Sequence, residues 1–173
     1  MKNSTFKIVL ASILSSLALI TFLLESLFPP LFLPGAKLGL SNVFIILTFI
    51  CLGKFYGFSA LITKCVLGSL FSGNFSAVMY SLPAGIIALT FEIIAFTHLK
   101  KVSVISICVV GSMLNITVQN IIFCLITNSL NYLAYLPYLA LIGAFTGVAI
   151  GFCVYALLKR IPFDKLLTKG DFT

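Results

Sequence analysis

The chain has 173 residues, of which 61% are hydrophobic and only 9% charged, with a mean hydropathy of +1.21. Fifteen charged side chains cannot cover a water-soluble domain of this size, where roughly a quarter of residues would be charged, so lipid is the solvent that fits. The net charge of +7 does not indicate nucleic acid, because the basic residues are scattered in small groups between apolar runs and form no basic face.

The charged positions divide the chain into six apolar segments. The first, about 8–28, follows Lys2 and Lys7; it is longer than most signal-peptide cores, has no A-x-A site after it, and reads as an uncleaved span. A loop containing Pro29, Pro30, Pro34, Gly35 and Lys37 follows. The second and third segments, about 39–52 and about 57–72, are separated by Gly53-Lys54. At 1.5 Å per residue they reach only about 21–24 Å, short for a span. The fourth, about 77–97, ends at His98 and Lys100-Lys101. From Val102 to Leu158 no charged residue occurs, too long for one crossing of roughly 20 residues. The polar stretch Asn128 to Asn131 divides it into segments at about 103–127 and about 134–158, the last stopped by Lys159-Arg160. The expectation is an all-α polytopic membrane protein, one six-helix transmembrane domain over residues 1–173.

Charge sets its orientation. With the N-terminus inside, the inner segments hold Lys2, Lys7, Lys54, Lys100, Lys101, Lys159, Arg160, Lys165 and Lys169, and the outer loops hold only Lys37. Positive residues collect on the cytoplasmic side, so both termini are expected in the cytoplasm of a multi-pass cell-membrane protein.

Polar residues inside lipid are expensive and therefore informative. Lys64 and Glu92 fall at similar depths on consecutive segments. They read as an intramembrane ion pair, with a snorkelling lysine or a coupling element as the other readings. Lys37 with Ser41 and Asn42 at the start of the second segment could hold an anionic group at a helix N-terminus; a capped helix with an interfacial lysine reads equally well. Asn115 and Gln119, four apart, share a helix face. With Lys37, Asn42, Ser72 and Asn74 they form the candidate substrate-binding set of a pocket open to the outside. Interhelical hydrogen bonding is the competing account of the Asn115 face.

Ala11 with Ser15, and Ser12 with Ser16, are small-residue pairs on the first segment; Gly143, Gly147 and Gly151 make a ladder on the last. Such faces allow close helix approach, within the bundle or to a partner. The five cysteines lie in apolar stretches without a CxxC pair, and His98 is the only histidine, so no metal or cofactor is expected. No G-x-S-x-G, P-loop, HExxH or aspartate-rich motif is present, and no enzymatic activity is expected.

The stretch Pro34-Gly35-Ala36-Lys37-Leu38-Gly39-Leu40-Ser41-Asn42, and the block from Lys64 through Gly68-Ser69 to Gly73, resemble the Gx transporter family, also called heptaprenyl diphosphate synthase component I. Lys64 stands where that family tends to have arginine. The family in turn resembles the substrate-binding S-components of energy-coupling factor (ECF) transporters. That resemblance implies six helices, an outward pocket for a small molecule such as a vitamin or its precursor, and partnership with a coupling subunit and ATPases. Ala11 and Ser15 then fall on the docking face, where Ser replaces the more usual Ala. The alternatives are an accessory membrane subunit in polyprenyl diphosphate or quinone synthesis and a structural subunit of a membrane complex.

Overall fold

The computed structural model describes residues 2–27, 39–99 and 102–160. Six α-helices lie where the six apolar segments were read: α1 (Lys2–Leu27), α2 (Asn42–Leu52), α3 (Lys54–Phe71), α4 (Ser76–His98), α5 (Val104–Thr127) and α6 (Leu136–Arg160), with a 3-10 turn at Leu130–Tyr135 before α6. No strand occurs among the described residues. By length and composition α1, α4, α5 and the 131–160 segment can each cross a membrane; α2 is a shorter apolar helix.

The helix ends follow local chemistry. Ser103 caps α5 by accepting from the Ile105 N–H, and Asn128 ends the same helix in the left-handed conformation at φ 51°. Gly53, at φ 101°, separates α2 from α3 with a single residue, a backbone state that an L side chain rarely adopts.

Helix α2 is the centre of the bundle. Eight of its eleven residues are buried, which is the pattern of a helix apolar on all sides and surrounded by others. One side packs Ile45 and Phe49 with Ala18 of α1, Leu61 and Cys65 of α3, and Leu89 and Ile93 of α4. The other packs Val43 and Ile46 with Cys108 of α5 and Ile150 and Val154 of α6. Its length of about 16 Å falls short of the roughly 30 Å hydrocarbon core, and its burial removes the need to span it.

Two clusters show which helix ends share an end of the bundle. Leu10, Ala11 and Leu14 near the start of α1 gather with Cys51 and Leu52 at the end of α2, Tyr56 at the start of α3 and Leu158 at the end of α6. Phe96 near the end of α4 and Val104 at the start of α5 pack with the cluster that also holds Leu158. The start of α1 and the end of α6 therefore lie at one end. At the other, Tyr80, Phe123 and Tyr132 stack edge to face at centroid separations of 5.6 and 5.2 Å, joining the start of α4 to the end of α5 and the 3-10 turn. The outer surface is apolar: Phe145, Leu125, Phe71 and Phe152 are all exposed. A surface of that kind fits lipid.

The glycine ladder of α6 is spent inside the bundle. A Cβ on Gly143, Gly147 or Gly151 would stand 3.0, 2.5 and 2.7 Å from the Cα atoms of Met113, Val109 and Ile105, successive turns of α5. Backbone cannot yield as a flexible side chain can. Gly147→Ala is expected to lower stability by about 1–3 kcal/mol, read from thermal unfolding in detergent, whereas Val148→Ala on the exposed side leaves it nearly unchanged. Equal melting of the two variants would contradict the close α5–α6 approach.

Candidate functional site

Where α2 begins, the bundle holds its most unusual chemistry. Glu25, near the end of α1, reaches across to the turn that precedes α2. Its two carboxylate oxygens accept from the Gly39 N–H at 3.1 Å and the Ser41 N–H at 3.2 Å. The free N–H groups and partial positive charge at a helix start attract an anion, and Glu25 supplies it from within the chain. The anion site read here from sequence is thus already occupied in part by an internal carboxylate. Lys37, the cation assigned to it, lies outside the described residues.

One residue on, Asn42 accepts from Lys64: the ammonium Nζ donates to Asn42 Oδ1 at 2.9 Å and stands 5.5 Å from the centroid of the Phe22 ring. Lys64 is buried on α3, so this charge-assisted hydrogen bond and the aromatic face stand in for water. The expected Lys64–Glu92 ion pair is not formed among the described residues. The two share a level of the bundle, but the ammonium is turned toward α1 and α2.

Glu92 of α4 is left in a different setting. It is 6% exposed and has no hydrogen-bond or ion-pair partner among the described residues. Its carboxyl lies against Gly111 of α5, where any Cβ would overlap it. The missing side chain at Gly111 is what makes room for the acid. Glu92, Asn42 and Asn115 line a narrow cavity of about 10 Å³, room for roughly one water-sized guest. Its remaining walls come from Ile45 and Ile46 of α2, Leu61 of α3, and Gly85, Ala88 and Leu89 of α4.

Of the candidate set, Asn42 and Asn115 are therefore brought together, and Glu92 joins them in place of pairing with Lys64. Ser72 and Asn74 sit apart, in the α3–α4 turn. Ser72 donates to the Ser69 carbonyl at 3.3 Å, and Asn74 accepts from the Ser76 hydroxyl at 2.7 Å, so both serve the turn. Gln119 is half-buried on α5, one turn beyond Asn115, and does not line the cavity. Asn120 fastens the 3-10 turn by donating to the Tyr132 carbonyl at 3.4 Å. On α1, Ala11 packs against Leu14, Leu47, Cys51 and Leu52 and is half-buried, as is Ser15; Ser12 and Ser16 are exposed.

Sequence reasoning missed two participants. Glu25, at the end of the first apolar segment, was not singled out, although its place before the G-x-S stretch of 39–41 is a signal for a cap supplied by another helix. Gly111 was not singled out, although it lies four residues before Asn115 on the same face and so marks where a neighbouring side chain can approach.

The family whose model matches residues 14–157 is described as heptaprenyl diphosphate synthase component I. The chain belongs to that family. The match begins within α1 and ends within α6, and so takes in Asn42, Lys64, Glu92, Gly111 and Asn115. No curated protein and no solved structure gives a significant match.

The Lys64–Asn42 contact should behave as a coupled pair in this component I family member. Asn42→Ala leaves a buried ammonium without its acceptor and is expected to cost about 2 kcal/mol in detergent unfolding. Adding Lys64→Met removes the stranded charge and restores much of that loss. Additive effects of the two substitutions would show that the contact carries no energy.

Proposed function

We propose that the chain is the substrate-capturing membrane component of an ECF-type importer. In this reading it sits in the cell membrane with both termini in the cytoplasm, threads the bilayer six times, and takes a small molecule from outside. It hydrolyses no ATP itself; a coupling subunit and partner ATPases supply the energy.

The observation that carries this reading is the polar cavity inside an otherwise apolar bundle. Asn42, Glu92 and Asn115 arrive from three different helices, and each costs stability in lipid that an apolar residue would not. A bundle that served only as an anchor has no need of such a group. The excess of lysine and arginine at the end shared by the start of α1 and the end of α6 supports the cytoplasmic assignment of that end. Docking of the coupling subunit is assigned to α1, where the half-buried Ala11 and Ser15 lie beside the exposed Ser12 and Ser16. The hydroxyls of Ser12 and Ser16 donate to carbonyls of their own helix at 2.9 Å, so this face can meet another helix without stranding a donor.

A second reading rests on the family description, which names a component of a prenyl diphosphate synthase. In it the chain is a membrane accessory subunit that holds a prenyl product near a catalytic partner. The two differ in what the protein carries. Native mass spectrometry of the chain released from mild detergent is expected to show one water-soluble metabolite per polypeptide. Bulky substitution at Ser12 or Ser16 should abolish capture of the coupling subunit. A bound prenyl lipid with no polar metabolite would favour the accessory role, and a chain that is empty after gentle extraction would contradict the importer.

A further inference from the structure

We infer that the cavity beside Glu92 is a site for a compact monocation, with the Glu92 carboxylate as its counter-charge and the Asn115 side-chain amide as a neutral oxygen ligand. This inference rests on reading the cavity as the ligand site, but not on any transporter partner.

Three observations converge. Glu92 is more than nine-tenths buried, lines the cavity, and has no hydrogen-bond or ion-pair partner among the described residues. An ionised carboxylate without a partner in such a place is costly, so the group needs either a proton or a cation. Asn115 lines the same cavity and also has no hydrogen-bond partner among the described residues. A carboxyl that only carried a proton would need neither an idle amide facing the same space nor the space itself. Lys64 is held by Asn42 and does not line the cavity, and among the described residues the one charged side chain in its lining is Glu92.

Size selects the guest. Gly111 lets the carboxyl lie flat against α5, while Ile45, Leu61 and Leu89 close the space with apolar side chains. What fits is a small cation that can be stripped of most of its water. Two sources offer that chemistry: a free alkali cation such as Na⁺, bound through carboxylate and amide oxygens, or the primary ammonium group of an imported molecule, which donates to the same oxygens.

The test uses the full chain in detergent at constant ionic strength, with chloride salts of Na⁺, methylammonium or the bulky N-methylglucamine cation. Binding to the folded state raises Tm with ligand concentration. A saturable rise in Na⁺ alone identifies the inorganic cation, and one in methylammonium alone identifies a substrate ammonium group; a rise in both supports a site that selects on size. In each case Glu92→Gln is expected to move half-saturation at least about tenfold higher, as loss of a charged partner does, and Asn115→Ala to weaken it less. Identical melting of the wild-type chain in all three salts would overturn the inference, as would an E92Q response matching wild type. If E92Q does not fold, Asn115→Ala and the ²³Na linewidth of the wild-type sample, with displacement by methylammonium, decide the matter; a linewidth unaffected by the protein, with no methylammonium response, would overturn it. A metabolite found by mass spectrometry in a chain that ignores every cation would leave the importer reading intact and remove only this one.

Discussion

The hydrocarbon interior offers no water, so every polar group carried into it must find its partner within the chain. Most of this protein obeys that demand locally. Thr21, Thr48, Thr90, Thr97 and Thr127 each donate to the carbonyl four residues earlier, and Thr146 to the one three residues earlier. These side chains neutralise themselves and leave the helices free to pack through apolar surface and small residues. On the cavity, Glu92 and Asn115 have no hydrogen-bond or ion-pair partner among the described residues, and the buried Ser41 hydroxyl just before α2 has no hydrogen bond either.

The shortness of α2 makes this possible. A helix of eleven residues inside a bundle of longer ones begins at depth, bringing a turn and a helix N-terminus into the interior. Irregular backbone there is tolerated only where its polar groups are met by protein or where it lines a cavity. Glu25 meets two of its N–H groups, and Asn42, the first helical residue, faces the cavity while holding Lys64. One shortened helix thus links the cap on α1, the buried lysine of α3 and the carboxyl of α4. The tight α5–α6 contact at Gly143, Gly147 and Gly151 gives that arrangement a rigid wall.

Much of the architecture was legible in the sequence because lipid imposes a coarse code. Apolar run length, the 128–131 interruption and the distribution of lysines located all six helices to within a few residues, and the glycine ladder announced a close helix pair. The site was half legible. Asn42 and Asn115 stood out as polar groups in apolar surroundings and do share a cavity. The pairing of Lys64 with Glu92 failed because depth along a helix says nothing about azimuth: the two residues lie at one level, yet Lys64 turns toward Asn42 while Glu92 turns toward Gly111. Ser72 and Asn74 misled for a different reason. Polar residues near a helix end serve turns as readily as pockets, and both are committed to the α3–α4 connection.

The proposed function requires this bundle to thread the bilayer with the start of α1 and the end of α6 on the inner side and the 74 and 131 turns on the outer. Single cysteines at T5C, N74C, N131C and R160C, treated in intact cells with a membrane-impermeant thiol reagent, test it directly, since all four positions are exposed. Labelling of N74C and N131C in intact cells, with T5C and R160C reached only after permeabilisation, is the predicted result. Labelling of T5C and R160C from opposite sides of the membrane would contradict it.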